Sequence, residues 1–263
     1  MKVDFLIVGT QKGGTSALAK FMAQHPNIFI PEQKELHFFD NEKIFKESSV
    51  DYEQYHKYFR TNKQQTLFGE ATPVYMYWKA AAKRIYDYNP DIKLIFILRN
   101  PVDRAYSHYQ MQVSRNKERL SFHSALFFEP IRQLLSKTKQ NRGYSYADRG
   151  FYSKSIKRMK RFFPKEQMLF LRTDDLFIHH KETLSKVFKF LGLPNHDKIE
   201  QKVIFANEYP SIKPGDKKYL LKKFNKEFAK LEQELLWDLT SWKSSGNFKK
   251  NTTFTHTDYT NSR

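Results

Sequence analysis

Two kinds of hydrophobic pattern alternate along this chain and predict an α/β fold. Short segments made mainly of apolar residues, typical of strands buried on both faces of a sheet, occur at residues 5–8, 66–69, 93–98 and 167–171. Apolar residues at helical spacing separate these segments and predict helices at residues 17–24, 51–59, 78–88, 101–114, 121–137, 150–163 and 179–191. Because strands that alternate with helices pair in parallel, we predict a single domain with a central parallel β-sheet flanked by helices on both faces.

Three further segments complete the organisation. Residues 28–50 follow neither pattern and are expected to be irregular, and the polar stretch 138–149 is expected to be a mobile loop. A stripe of apolar residues from Leu220 to Leu235 predicts an amphipathic helix whose lysines face solvent. Residues 244–263 are polar and lack a period, so we expect a domain of residues 1–243 followed by a flexible tail.

The first strand leads into a glycine-rich turn, GTQKGGTS at residues 9–16, and then into a helix. In such an arrangement the backbone N–H groups of the turn converge on one point, and the helix dipole adds roughly half a positive charge there. The turn therefore predicts a P-loop-like phosphate site. We expect the phosphate to be bound by Lys12, Gly13, Gly14, Thr15 and Ser16.

The turn differs from the Walker A pattern, in which Lys and then Ser or Thr directly follow the second glycine. Gly9 and Gly14 have the Walker separation, but Thr15 follows Gly14 and the lysine lies earlier, at Lys12. A hydrolase of magnesium nucleotides is expected to keep its lysine beside the hydroxyl that binds the metal. The displaced lysine therefore favours a nucleotide bound through its phosphates without a metal, with a P-loop kinase as the alternative.

This turn, followed by PEQKELHFFD at residues 31–40, resembles the 5′-phosphosulfate loop and the catalytic segment of the carbohydrate sulfotransferases. The likeness is to the heparan sulfate 3-O- and N-sulfotransferase group and its bacterial relatives. The segment LIFILRNPVDRAYSHY at residues 94–109 resembles the 3′-phosphate motif of that family, and residues 150–176 carry a third, weaker match. The three matches occur in the family's order and cover most of residues 3–195.

The resemblance implies a donor, 3′-phosphoadenosine 5′-phosphosulfate (PAPS), and the product 3′-phosphoadenosine 5′-phosphate (PAP). A ligand with phosphates at two ends needs two separated anion pockets, and Arg99 with Ser107 is expected to form the second. Arg99 ends a buried strand and offers a planar fork that matches phosphate oxygens. Ser107 lies about two turns into the following helix, which Pro101 opens.

The same resemblance places Glu35 on the residue assigned as the catalytic base. Sulfuryl transfer needs a group that removes the acceptor's proton as the new bond to sulfur forms, and a carboxylate can do so. His37 and Asp40 fall on neighbouring positions that orient the acceptor or the base, and His37 stays an alternative base because cytosolic relatives use histidine. Lys12 is expected to stabilise charge on the departing phosphate. Glu70, in the segment GEATP, is a candidate for contact with the acceptor or with a buried lysine.

Residues 207–218 occupy the place of a longer basic loop that closes over the donor in the vertebrate relatives. Tyr209, Lys213 and Lys217 are candidates for the same task here. Together these likenesses imply an enzyme that moves a sulfuryl group to a hydroxyl or amine of an acceptor, with a carbohydrate or glycan as the expected acceptor class.

Charge and cysteine content narrow the remaining possibilities. The net charge of +18 indicates either a nucleic-acid-binding module or an enzyme with an anionic donor and an anionic acceptor, and the phosphate motifs favour the enzyme without a nucleic-acid partner. The absence of cysteine excludes disulfides and thiolate metal sites, and the nine histidines lack paired-ligand spacing, so no metal is expected. A strand that begins by Val3 leaves no room for a signal peptide, and no apolar run has the length of a membrane span, which together predict a cytoplasmic enzyme.

Overall fold

A five-stranded parallel sheet, in the order β2-β3-β1-β4-β5, forms the centre of the molecule. The structure is a computed structural model that describes residues 2–47, 49–61, 65–138, 140–196, 198–201 and 209–244. The strands are Phe5–Gly9 (β1), Ile28–Phe29 (β2), Leu67–Ala71 (β3), Lys93–Leu98 (β4) and Met168–Arg172 (β5). This parallel sheet, flanked by helices, confirms the predicted fold class. Residues 245–263 of the predicted tail lie outside the described residues.

Ten α-helices surround the sheet in the described part of the chain. They are Thr15–Met22 (α1), Glu53–His56 (α2), Ala81–Tyr88 (α3), Pro101–Ser114 (α4), Phe122–Leu134 (α5), Tyr152–Met159 (α6), Thr173–Ile178 (α7), His180–Leu191 (α8), Pro214–Leu235 (α9) and Thr240–Lys243 (α10). None of the helices among these described residues is both long enough and apolar enough to cross a lipid bilayer.

Two elements differ from the sequence prediction. Strand β2 lies within the stretch 28–50 that was expected to be irregular, and it pairs with Leu67 and Phe68 of β3. A strand of two residues is too short to show an alternating pattern. Helix α7 follows β5 directly, whereas the sequence predicted a helix only from residue 179. Only two residues of α7 are buried, Thr173 and Leu176, so the helix leaves no apolar period in the sequence.

Alternate residues of the central strands supply two hydrophobic layers, one on each face of the sheet. Leu6 and Val8 of β1 belong to the larger layer, which also contains the buried residues of α3, α4, α5, α6 and α9. Phe5 and Ile7 belong to the smaller layer, with α1, α7 and α8. Both faces of the sheet are covered, which explains why apolar residues predominate in the strands. Phe38 of the segment KELHFFD is buried in the larger layer, which fixes that segment near the carboxyl end of β3.

Residues 140–149, most of the stretch that the sequence predicted to be a mobile loop, are anchored by hydrogen bonds. The Gln140 side chain donates to the carbonyl of Tyr77 at 2.8 Å. The buried carboxylate of Glu129, on α5, accepts the N–H groups of Ala147 and Asp148 at 2.8 and 2.7 Å. Polar groups of residues 140–149 hydrogen-bond to buried partners, and this segment is therefore held in one position beside the carboxyl edge of the sheet.

Candidate active site

The turn after β1 forms a backbone cradle at the N-terminus of α1. Gly14 precedes α1 with a φ of 98°, a left-handed conformation that glycine adopts without strain. A Cβ atom on Gly13 would lie 2.6 Å from the carbonyl oxygen of Ile97, so only glycine fits there. Thr15 and Ser16 form the first turn of the helix. Among the described residues no side chain caps α1 and its first turn holds no acidic residue, which suits an anion at this point.

Hydrogen bonds tie this cradle to the carboxyl ends of β4 and β5. The Thr173 hydroxyl, at the start of α7, donates to the carbonyls of Gly13 at 2.5 Å and Leu98 at 3.1 Å. Arg99, which follows β4, donates from Nη1 to the carbonyl of Lys12 at 3.4 Å. Arg99 of the predicted 3′ pocket therefore contacts the predicted 5′ loop directly.

The Lys12 side chain lies among charges of both signs. Burial lowers the pKa of Lys12, and the cations Arg99 and Arg115 lower it further, while the charge of Glu35 acts in the opposite direction. Cations held together in a partly buried place favour the binding of an anion, which would relieve their mutual repulsion. Lys12, in the predicted donor loop, therefore interacts electrostatically with Glu35.

The predicted 3′ pocket lies at the start of α4. Ser107 is buried on this helix, and Asp103 lies one turn before it. Burial raises the pKa of Asp103, and the charges of Arg99 and Lys217 oppose that rise. Since Lys217 belongs to α9, the first turns of α9 approach the surroundings of Arg99 and Ser107.

Part of the segment expected to close over the donor, residues 207–218, is helical in the structure. Residues 207 and 208 lie outside the described residues, and residues 214–218 belong to α9. The ring of Tyr209 lies 5.7 Å from that of Tyr106, the neighbour of Ser107 on α4. Lys213 is exposed and immediately precedes α9. Tyr209 thus lies near the predicted 3′ pocket, whereas Lys213 faces solvent.

Glu35, His37 and Asp40 form a hydrogen-bonded chain. His37 Nε2 lies 3.3 Å from Glu35 Oε2, and His37 Nδ1 lies 3.1 Å from both carboxylate oxygens of Asp40. Asp40 is 0% exposed, whereas the other two side chains are part-exposed. Hydrogen bonds first to Asp40 and then to Glu35 raise the pKa of His37 to about 9. Within the described residues, no group of three or more acidic or histidine side chains is arranged to hold a metal ion.

The predicted catalytic residues share an unusual backbone conformation. Lys12, Glu35 and His37 have φ values of 68°, 52° and 54°, in the left-handed region that non-glycine residues seldom adopt. Only two other non-glycine residues in the described part of the chain, Asn116 and Leu236, have positive φ. Such conformations cost about 1–3 kcal/mol each and cluster at functional sites, where the surrounding structure enforces them.

Glu70 is buried beneath the Glu35 segment and supports it through hydrogen bonds. It is 2% exposed, and its carboxylate accepts hydrogen bonds from the hydroxyls of Tyr55, Thr72 and Tyr75 at 2.7–2.8 Å and from the backbone of Leu36. Burial raises the pKa of Glu70 against these donors. This burial leaves the carboxylate almost no surface for the predicted contact with the acceptor, which stays a prediction.

The hydroxyl oxygen of Tyr75 extends this support to the next residues. It accepts the N–H groups of Phe38 at 3.0 Å and Phe39 at 3.4 Å. Glu70 and Tyr75 together therefore hold the backbone on both sides of His37.

Two arginines of the anchored stretch 140–149, for which the sequence predicts no role, lie in the site. Arg142 pairs with Asp40 at 2.8 Å and lies 4.6 Å above the ring of Trp78. Arg149 is buried, donates to the side chain of Gln11 in the donor loop, and has its Nε without a partner in the described structure. Burial lowers the pKa of Arg149 to about 10. The sequence offers one indication of their role, since both arginines lie in a polar stretch just before the GFY motif at residues 150–152.

Comparisons with known proteins identify the family of the chain. A model of the sulfotransferase domain family matches residues 2–213. Heparan sulfate glucosamine 3-O-sulfotransferase 5 of Mus musculus is 32% identical over 202 residues, which are 77% of this chain and 56% of that protein. Heparan sulfate glucosamine 3-O-sulfotransferase 3B1 of Mus musculus is 33% identical over 221 residues, with 80% and 52% covered. The chain thus spans about half the length of these curated relatives.

A solved structure resembles the whole described fold. The crystal structure of a sulfotransferase from Alicyclobacillus acidocaldarius superimposes with a TM-score of 0.79 at 29% sequence identity. The match covers 93% of this chain and 100% of the other. The sheet and its flanking helices are therefore common to the two proteins.

Proposed function

We propose, because the chain belongs to the sulfotransferase domain family, that it transfers a sulfuryl group from PAPS to a hydroxyl or amine of an acceptor. One observation carries the proposal. An anion cradle and a carboxylate–histidine–carboxylate chain converge on Lys12, whose pKa responds to both Arg99 and Glu35. A donor phosphate and a proton-accepting base are the two elements that sulfuryl transfer requires.

Two parts of this chain suit the two phosphate ends of the donor. The 5′ end fits the cradle of residues 12–16, where glycine allows close approach of the backbone and the N-terminus of α1 favours negative charge. The 3′-phosphate fits the surroundings of Arg99 and Ser107, with Tyr209 and Lys217 nearby. Lys213 would join them only if the segment before α9 closed over the donor. PAPS itself supplies the sulfuryl group, carried on its 5′-phosphate.

Glu35 is the proposed base. It accepts the proton of the acceptor hydroxyl while the acceptor oxygen bonds to sulfur, and the bond between sulfur and the 5′-phosphate oxygen breaks. The electron pair of that bond leaves on the phosphate. Lys12 and the N–H groups of the cradle stabilise this charge, which is the main electrostatic task in a loose group-transfer transition state.

The environment of His37 favours Glu35 over His37 as the base. With a pKa of about 9, His37 is protonated at neutral pH and has no free lone pair to accept a proton. Protonated His37 instead donates hydrogen bonds to Glu35 and Asp40, which orients the Glu35 carboxylate. Asp40 in turn is fixed by Arg142. Asp40 therefore acts by positioning His37 and has no contact with the acceptor.

A glycan is the proposed acceptor class. The names of the relatives refer to heparan sulfate glucosamine, and the net charge of +18 suits an anionic chain. Arg142, exposed beside Asp40, is available to an acidic group of such an acceptor. The cytoplasm stays the expected location of the enzyme.

Transfer of radiolabelled sulfate from PAPS to a panel of acceptors tests the proposal. The panel should contain an N-sulfated glucosamine–uronic acid polysaccharide, its unsulfated form, a neutral polysaccharide and a simple alcohol. We expect label in at least one saccharide, in the presence of EDTA, and none with the Lys12→Ala variant. Absence of label from every acceptor, together with phosphate transfer from ATP in the same panel, would overturn it.

A further inference from the structure

Helix α5 presents a continuous apolar face to solvent. Its members project strongly, with exposed fractions from 41% for Phe128 to 79% for Leu135. At 100° per residue they fall within an arc of about 120° around the helix axis. We call this surface the α5 outer face, and its residues are Phe127, Phe128, Ile131, Leu134 and Leu135.

The opposite side of the same helix already supplies the core. Phe122, Ala125 and Leu126 are buried in the larger hydrophobic layer, and the buried carboxylate of Glu129 anchors the backbone at residues 147–148. The apolar stripe of residues 121–137 in the sequence therefore divides into two faces. A helix that is apolar on both sides normally packs against neighbours on both sides. We therefore expect the outer face to bind another molecule or surface.

The surface around the outer face is cationic. From residue 104 to residue 147 the chain has two carboxylates, Glu118 and Glu129, and both are buried. Arg132 of α5 pairs with Glu118, which holds the preceding loop against the helix. The exposed basic residues of this stretch that do not belong to the candidate site are Lys117 and Arg119, in the loop that Glu118 joins to α5, and Lys137, just after the helix.

We propose that the α5 outer face docks on a lipid bilayer that contains anionic lipids. Apolar side chains enter the boundary between headgroups and acyl chains, and surrounding Lys and Arg side chains bind the negatively charged headgroups. A second copy of the chain is disfavoured, because it would bring two cationic rims and two chains of charge +18 together. The side chains protrude rather than line a groove, which suits insertion better than the seating of a partner helix.

Docking in this way is coupled to the site through one helix. The outer face would contact the membrane, while Glu129 on the inner side fixes the stretch that carries Arg142 and Arg149. The proposal concerns attachment and not chemistry, so it stands or fails independently of sulfuryl transfer.

Co-sedimentation with lipid vesicles tests the docking surface. The full chain is mixed with vesicles of phosphatidylcholine alone or with phosphatidylglycerol, and bound protein is measured at low and high salt. We expect binding at least tenfold stronger to the anionic vesicles, and weaker in high salt. The double variant Ile131→Ser/Leu135→Ser should lose roughly tenfold or more in affinity, since two inserting side chains are removed.

A matched double variant controls for the loss of apolar surface in general. Ile178, the last residue of α7, and Leu236, which follows α9, are 65% and 85% exposed, and Ile178→Ser/Leu236→Ser should bind vesicles as the unchanged chain does. Equal loss in both double variants would overturn the proposal, as would absence of binding to anionic vesicles by the unchanged chain. A dimer seen by light scattering, and dissolved by Ile131→Ser/Leu135→Ser, would assign the face to a second copy and also overturn it.

Discussion

The proposed donor side and the proposed acceptor side of the candidate site are built from different chemical groups. The donor side, residues 9–16 with Arg99 and Ser107, relies on backbone N–H groups, glycine conformation and the ends of strands. The acceptor side, residues 35–40 with Arg142, relies on side chains from distant segments that hydrogen-bond to one another, and Arg149 joins the two sides through Gln11.

Because the two sides differ in this way, they should respond differently to amino-acid substitution. A backbone cradle keeps its shape when a neighbouring side chain is altered, because its geometry is set by the sheet and by α1. A network of side chains loses its geometry when one member is removed. We therefore expect acceptor-side variants to lower turnover while donor affinity is kept, and donor-side variants to lower donor affinity.

The largest effect is expected from Glu35→Gln. The amide cannot accept the acceptor's proton, so turnover should fall by about 10²–10⁴-fold, the usual contribution of general base catalysis. Binding of PAP, measured by calorimetry, should stay unchanged. Glu32→Gln, at an exposed carboxylate of the same segment, is the matched control and should keep normal turnover. Near-normal turnover of Glu35→Gln alongside an inactive His37→Ala would move the base to His37.

The next largest effect is expected from Arg99→Ala on the donor side. Loss of charge-assisted hydrogen bonds to the 3′-phosphate should weaken PAP binding by about 2–4 kcal/mol, whereas AMP, which lacks that phosphate, should bind as before. Arg161→Ala, at an exposed arginine, serves as the control. Equal weakening of PAP and AMP would remove Arg99 from the 3′ pocket and blur the distinction between the two sides.

A smaller effect should follow from Tyr75→Phe on the acceptor side. The change removes one donor to buried Glu70 and the acceptor for the Phe38 N–H, so the free energy of unfolding should fall by about 1–3 kcal/mol. Turnover should fall as well, because the backbone around His37 loses support, while PAP affinity is kept. Tyr58→Phe, at an exposed tyrosine, should change neither in urea unfolding and kinetic assays. PAP affinity lowered as much as turnover would contradict the separation of the two sides.

The smallest effect concerns pH. The folded protein raises the pKa of His37 from 6.5 to about 9, so protonated His37 stabilises the fold below pH 6.5 and this contribution is lost as pH rises through about 9. The difference in unfolding free energy between the unchanged chain and His37→Gln should therefore shrink across that window. Because His37 is part-exposed, solvent screens the ion pair and the difference should be small. A difference that grows with pH would reverse the assigned charge state.

The donor side could be predicted because its residues are contiguous. A strand, a glycine-rich turn and a helix follow one another within twenty residues, and Arg99 and Ser107 lie in one motif. The acceptor side could be predicted only in part, since its partners are far apart in sequence. Arg142 and Asp40 are separated by 102 residues, and no local pattern joins them.

Strand length and tertiary contacts decided how much of the fold, and of the position of Glu70, the sequence could predict. Four strands of five to six residues each gave a clear apolar run, but β2, with two residues, gave none. Glu70 looked like a site residue because its segment lies at the right strand end. Its burial depends on Tyr55 and Tyr75, whose approach is a tertiary contact without a sequence signal.

Nucleotide binding in the presence and absence of magnesium tests the central claim most directly. A donor site built from the backbone of residues 12–16 and from Arg99 should bind PAP equally well with excess magnesium or with EDTA. It should also bind PAP more tightly than ATP, because only PAP carries a 3′-phosphate. Binding that requires magnesium and prefers ATP would contradict sulfuryl transfer and would indicate a phosphotransferase instead.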